Sequence, residues 1–148
     1  MVGQVTRTQK SSRTQWTAQF LVAAELARRG YTVCFTMGNH TPVADLMAGL
    51  PNGKSFWVDV KGLSSKNAWL ISPKEDRNDL YYILVLLAPL VEAPEVRQPD
   101  RFFVLTQAET KALSGAYDLS HPNTQDPTSG FGFKDPQGHE DAWHKLPC

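Results

Sequence analysis

Cysteine is scarce in this sequence. Cys34 and the terminal Cys148 are the only two in 148 residues, too few for a disulfide framework. The fold therefore has to rest on a buried apolar core, and a reducing, cytoplasmic location is the expectation. Long hydrophobic runs are missing as well. The longest, Tyr81 to Val91, is interrupted by Pro89 and falls short of the roughly 20 apolar residues that a spanning helix needs. No membrane association is expected. The opening residues are polar and lack an apolar h-region, so no secretory leader is expected either. There is no internal repeat and no sign of a second domain, and residues 1–148 read as one domain. Acid is absent from the first 24 residues, which hold Arg7, Lys10 and Arg13.

That last absence belongs to a wider asymmetry. The formal net charge is zero. Residues 1–74 carry nine Lys and Arg against three acids, a net +6, and residues 75–148 carry six against twelve, a net −6. A basic half points to a polyanionic partner, although two solvated surfaces of different charge read equally plainly. With 41% hydrophobic and 20% charged residues the composition is that of a globular chain with a real core.

Residues 1–11 are polar and Ser/Thr-rich, and are expected to form a flexible basic arm. Ser12 and Gln15 have capping-box spacing, which predicts a helix from Arg13. Trp16, Phe20, Ala23, Ala24 and Ala27 recur at helical spacing as its buried stripe, and Gly30 stands where a left-handed cap would end it. Tyr31 to Thr36 reads as a strand, followed by a turn at Gly38, Asn39 and His40. Val43 to Leu50 and Lys54 to Lys61 read as the two strands of a hairpin. Residues 68–71 form a further short strand, Leu80 to Ala88 a buried one, Arg101 to Thr106 another, and Gln107 to Ser114 a short helix. Residues 119–148 read as an irregular tail, with a helical turn near Glu140 to Leu146 docking through Trp143. The order suggests an α/β or α+β fold built on one mixed sheet.

The hairpin is the most informative stretch. Pro51-Asn52-Gly53 suits a three-residue loop, with proline at the first central turn position and glycine at the left-handed position of the following bulge. That loop pairs Leu50 with Lys54, Ala48 with Phe56 and Leu46 with Val58. It sets Asp45 opposite Asp59, with Lys61 two residues on along the same face. A two-residue Asn52-Gly53 turn would shift the register by one and carry the two carboxylates to opposite faces. Facing carboxylates repel unless something positive lies between them. A hard divalent cation such as Mg²⁺ takes carboxylate oxygens, waters and substrate phosphate. An adjacent lysine would then stabilise phosphoryl charge or position the attacking water.

Asp45, a gap of thirteen residues, and Asp59-Val60-Lys61 within Trp57-Val58-Asp59-Val60-Lys61-Gly62 resemble the PD-(D/E)XK nuclease motif. The segment Ala18 to Tyr31 resembles the first helix of the restriction-endonuclease-like and Holliday-junction-resolvase-like members. Their Glu or Gln eleven residues before the helix-ending glycine corresponds to Gln19. The resemblance covers residues 12–62 well, 80–115 loosely, and the tail not at all. It implies a restriction-endonuclease-like core with helices flanking a mixed central sheet, and hydrolysis of phosphodiester bonds in DNA with Mg²⁺ or Mn²⁺. Asp45 and Asp59 would hold the metal, Lys61 would assist the chemistry and Gln19 would support the site. A homodimer is a further implied partner, since many related enzymes dimerise to cut two strands. The chain departs from the pattern in having Ala44 before Asp45, with the nearest proline at Pro42. The neutral Gln19 leaves one fewer carboxylate for a second metal.

Each assignment has a plainer counterpart. Asp59 and Lys61 suit an exposed strand-edge ion pair, and Gln19 a buried amide bonded to nearby backbone. Ser64, Ser65 and Lys66, which follow the motif, suit either a grip on backbone phosphates or a polar loop. Trp57 and Trp69 suit base stacking or core packing. His40 suits a phosphate contact or a solvated turn. His139 and His144 lie five apart, one too many for the zinc-protease spacing. Two other functions compete with a nuclease: an inactive nuclease-fold module that binds nucleic acid or protein, and a small regulatory partner acting through the acidic half.

Overall fold

Thr6 and Gln9, rather than Ser12 and Gln15, cap the first helix. The Thr6 hydroxyl accepts the Gln9 N–H at 3.2 Å while the Gln9 side chain accepts the Thr6 N–H at 2.9 Å. Helix α1 therefore runs Arg7–Arg28; Arg7 and Lys10 stand on a helix instead of on a flexible arm, and Arg13 is helical as expected. Gly30 follows with φ +95°, as a left-handed cap requires. The computed structural model describes residues 3, 6–37, 43–122 and 130–148. The expected turn at Gly38, Asn39 and His40 lies outside them.

The strands are β1 (Thr32–Phe35), β2 (Leu46–Gly49), β3 (Ser55–Leu63), β4 (Trp69–Leu70), β5 (Leu80–Leu86), β6 (Arg101–Thr106) and β7 (Gly130–Phe131). A second helix, α2, spans Gln107–Ser120 between β6 and β7, six residues longer at its end than the sequence suggests. Single 3-10 turns occupy Pro94–Val96, Asp135–His139 and Trp143–Lys145. The main sheet has the order β1-β2-β3-β5-β6, and β4 and β7 form a separate two-stranded sheet. Among the described strands β3 and β5 alone run parallel; the other pairs are antiparallel. The protein has an α+β fold, two helices on a mixed five-stranded sheet plus the small two-stranded sheet.

Alternation along the strands builds two cores. Leu46, Ala48, Phe56, Val58, Val60, Ile83, Val85 and Val104 pack under α1 with Ala18, Val22 and Leu26. Trp69, Tyr82, Leu84, Phe103, Leu105 and Phe131 pack on the other face, with Leu113 and Tyr117 of α2. Strand β5 feeds both cores, as its unbroken apolar run suggests. Trp143 docks in the α1-side core and meets the Phe102 ring at a tilt, with centroids 5.5 Å apart. The Tyr31 hydroxyl donates to the Pro147 carbonyl at 2.6 Å, so residues 143–147 are bound down.

The buried stripe of α1 differs from the expected one. Ala18, Gln19, Val22 and Leu26 face the sheet, while Trp16 is 38% and Phe20 59% exposed, and Ala24 and Ala27 face solvent. The reason lies at Gly62. A Cβ there would stand 2.8 Å from the Ala18 Cβ and 3.0 Å from the Thr14 carbonyl. Helix α1 thus lies so close to β3 that only an alanine fits between them, and the bulky aromatics are turned away.

Candidate active site

The turn behaves as its residues predict. Gly53 has φ +83°, its N–H donates to the Leu50 carbonyl at 3.0 Å, and the Leu50 N–H donates to the Lys54 carbonyl at 2.8 Å. The Asn52 side chain accepts the Lys54 N–H at 3.0 Å. The pairs Leu46 with Val58 and Ala48 with Phe56 follow. This is the three-residue loop register; the one-residue slip does not occur.

Asp45 sits one residue before β2, where the ladder to β3 ends. Its N–H donates to the Val58 carbonyl at 3.1 Å, and its carbonyl accepts the Thr36 N–H at 3.0 Å and the Thr36 hydroxyl at 3.1 Å. Its side chain turns into the gap left beside β3. Oδ2 accepts the Val60 N–H at 2.8 Å, and the Gln15 side-chain amide donates to the Val60 carbonyl at 2.7 Å. Gln19 reaches the same carboxylate, with Nε2 3.4 Å from Asp45 Oδ1. Burial raises the Asp45 pKa against the opposing Val60 N–H. Asp59 raises it further, and Lys61 and Lys74 pull it down.

Asp59 points into the α2-side layer and is 1% exposed. Lys61 Nζ lies 2.9 Å from Oδ1, and Lys74 Nζ is ion-paired with Oδ2. The Lys61 approach is close in distance but not aligned as a hydrogen bond, so Oδ1 is buried with no hydrogen-bond partner among the described residues. Lys74 also donates to the Val43 carbonyl at 2.7 Å, linking the approach to β2 with the carboxylate on β3. The repulsion argued from the sequence is therefore met by two ammonium groups. Tyr82, the β5 neighbour of Asp59, has its phenol pushed up to about 12 by burial and by the Asp59 charge, against a smaller opposing effect of Gln107.

Gln19, Asp45, Asp59 and Lys61 are thus brought together, and Lys74 is the member that sequence reasoning missed. Ser64, Ser65 and Lys66 are exposed beyond the end of β3, and Ser64 lies five residues after Asp59, roughly 16 Å along an extended strand. They do not join the carboxylates; Lys66 Nζ stands 5.8 Å above the Phe133 ring. Trp69 is core at 1% exposure, which removes it as a stacking surface, and Trp57 is half-buried. His139 is bonded to Lys145 at 2.7 Å on a 3-10 turn.

Among the described residues no group of three or more His, Cys, Asp or Glu side chains could hold a metal. A cation here would rest on two carboxylates. The fit is reasonable in its donors: among the described residues Asp59 Oδ1 is a buried oxygen with no hydrogen bond, and Asp45 Oδ1 has the long Gln19 contact alone. Comparison with family models, with curated proteins and with solved structures finds no match.

Proposed function

We propose that the protein is a metal-dependent nuclease with a restriction-endonuclease-like core, hydrolysing phosphodiester bonds in DNA with Mg²⁺ or Mn²⁺. The observation that carries this reading is the convergence of Asp45 with Asp59 and Lys61, produced by the turn register, around a buried carboxylate oxygen lacking a hydrogen bond. Asp45 and Asp59 would hold the cation, which when bound supplies Lewis-acid activation of the phosphate and of water. Lys61, 29% exposed at its side chain, is the group able to turn its ammonium toward developing phosphoryl charge. Gln19 donates to Asp45 and acts as a positioning residue. Arg7, Lys10 and Arg13, on an exposed helical surface, would meet the phosphate backbone.

A second reading is favoured by one observation. Lys74 already neutralises Asp59, so the cluster is charge-balanced without a metal. An inactive module that binds nucleic acid would look like this.

Cation titration by calorimetry, together with cleavage of plasmid, linear, branched and single-stranded DNA, separates the two. The nuclease reading expects metal-dependent cutting. Asp45→Asn and Asp59→Asn should each lose metal binding and about a hundredfold or more in cleavage, since an amide is a poor ligand for a hard cation. Lys61→Ala should keep the metal and lose rate. Intact metal affinity and cleavage in both Asp variants would remove the proposed centre. DNA binding without cleavage in the unmodified protein would establish the second reading.

A further inference from the structure

Large aromatic side chains on a helix that packs on a sheet normally face inward, so exposed ones are informative. Trp16 and Phe20 stack at 5.8 Å, and Phe20 meets Phe35 of β1 at 5.6 Å. Phe35 pairs with Leu46, the residue after Asp45. Trp16 lies one helical turn before Gln19, whose amide touches Asp45. The aromatic cluster thus borders the candidate site. A groove of about 530 Å³ is lined by Arg7, Thr8, Ser11, Gln15, Trp16 and Gln19, among others. It combines a guanidinium, hydroxyls, amides and an indole, and runs along α1 from its basic end to Gln19, whose amide touches Asp45.

We infer that this groove binds single-stranded nucleic acid, with an unpaired base stacked on Trp16, which Phe20 backs from outside the groove, and the adjoining backbone held by Arg7 and the hydroxyls of Thr8 and Ser11. The inference deepens the nuclease reading by naming the form of its substrate, a strand with unstacked bases beside the site. Any base offers a π-face, so an aromatic platform with flanking cations holds a single strand with little regard to sequence. A duplex keeps its bases stacked inside and offers the platform nothing. A second copy of this chain is the disfavoured occupant. Arg7, Lys10 and Arg13 share the helix with the aromatics, no acid occurs in the first 24 residues, and two such surfaces would repel.

The test is fluorescence anisotropy with a labelled single-stranded 12-mer and the matching duplex, in EDTA, so that it does not depend on cleavage. The single strand should bind more tightly than the duplex. Trp16→Ala and Phe20→Ala should each weaken it roughly tenfold or more, and Trp16→Phe should restore part of the loss. Salt dependence should persist in Trp16→Ala and flatten when Arg7, Lys10 and Arg13 are replaced together. Neither aromatic belongs to the buried core, Trp16 being 38% and Phe20 59% exposed, so these variants should fold, which a thermal melt verifies. Trp16 is more exposed than Trp69 and Trp143, so quenching of tryptophan emission by the unlabelled strand is a second reading of the same contact. Equal affinity of Trp16→Ala and the unmodified protein overturns the inference, as does preference for duplex or absence of any binding. Concentration-dependent dimerisation that Trp16→Ala abolishes overturns it in favour of the second copy. Failure of cleavage with stacking intact leaves this inference standing and counts only against the nuclease.

Discussion

Replacing Lys74 by methionine should move two quantities in opposite directions. The Asp59 side chain is 2% exposed and that of Lys74 20%, so their pair is poorly screened. Removing one partner of a buried pair costs about 3–5 kcal/mol when the remaining charge is stranded. Here Lys61 remains 2.9 Å from the other oxygen, and methionine keeps most of the apolar stem. About half that range, roughly 2 kcal/mol, is the expected loss of stability in the metal-free protein. Metal binding should change the other way, because a cation approaching Asp59 must displace or repel the Lys74 ammonium. Two unit charges 4 Å apart at an effective dielectric of 20 interact by about 4 kcal/mol. If a third of that opposes the metal, its removal tightens Mg²⁺ binding about tenfold. Lys74 lines a cavity of about 240 Å³ shared with Tyr82, Gln107 and Thr110, which gives the displaced side chain of the unmodified protein somewhere to go. Calorimetric titration of Mg²⁺ and Mn²⁺, with thermal melts in EDTA and in excess Mg²⁺, measures both effects. Mg²⁺ affinity that stays unchanged or falls in Lys74→Met would refute the idea that this lysine stands where the cation must act.

Gly62→Ala should destabilise by about 1–3 kcal/mol, because the added methyl meets the Ala18 Cβ and the Thr14 carbonyl. Urea unfolding checks the loss, and adding Ala18→Gly should recover part of it. Lys145→Met should loosen the segment that ends the described chain. Its ammonium donates to the Val104 carbonyl at 3.1 Å and to Glu109 at 2.9 Å, and lies 2.7 Å from His139 Nδ1, so about 2 kcal/mol is at stake. Burial alone would raise the Glu109 pKa, but the Thr106 N–H and Lys145 outweigh it and hold it low. Burial and then Lys145 lower His139. Stability from both groups is complete above their ordinary ranges. It is lost as pH falls, first through the histidine range and then through the lowered Glu109 value. Urea melts from pH 7.5 to pH 3 should show this decline flattened in Lys145→Met, and an unchanged decline would count against the clasp.

How much of this was legible in the sequence depends on the range of the interaction involved. The hairpin register was, because three consecutive residues, Pro51, Asn52 and Gly53, determine a local backbone path that two-residue alternation then carries to Asp45 and Asp59. Gln19 was legible only through the family resemblance. The helix start was misread because Thr6/Gln9 and Ser12/Gln15 share the same spacing; the structure caps with the first pair and uses Gln15 for the Val60 carbonyl. The buried face of α1 was misread because hydrophobicity alone selects Trp16 and Phe20, while the deciding contact is with Gly62, more than forty residues away. Lys74 carried no signal, since it lies in an irregular segment thirteen residues after Lys61 and reaches Asp59 only through the crossover between two parallel strands.

Asp45 illustrates why a site can be hard to separate from the fold that holds it. Strand β3 continues to Leu63 alongside β5, but β2 begins only at Leu46. Val60 would therefore lose its ladder partner on the β2 side. The Asp45 carboxylate accepts its N–H and the Gln15 amide donates to its carbonyl, so side chains complete the edge that the backbone leaves open. This structural duty would suffice to explain an aspartate here, except that a charge is unnecessary for it. Burial raises the Asp45 pKa despite that hydrogen bond, so folding penalises its charge. Ionised Asp45 weakens the metal-free fold as pH rises through its raised pKa, a cost absent below the ordinary carboxylate range. An amide oxygen would accept the Val60 N–H without that cost. Asn at this position separates the two duties, and Ala, which strands the Val60 N–H, does not. The negative charge is what a cation would use and what the sheet edge does not need.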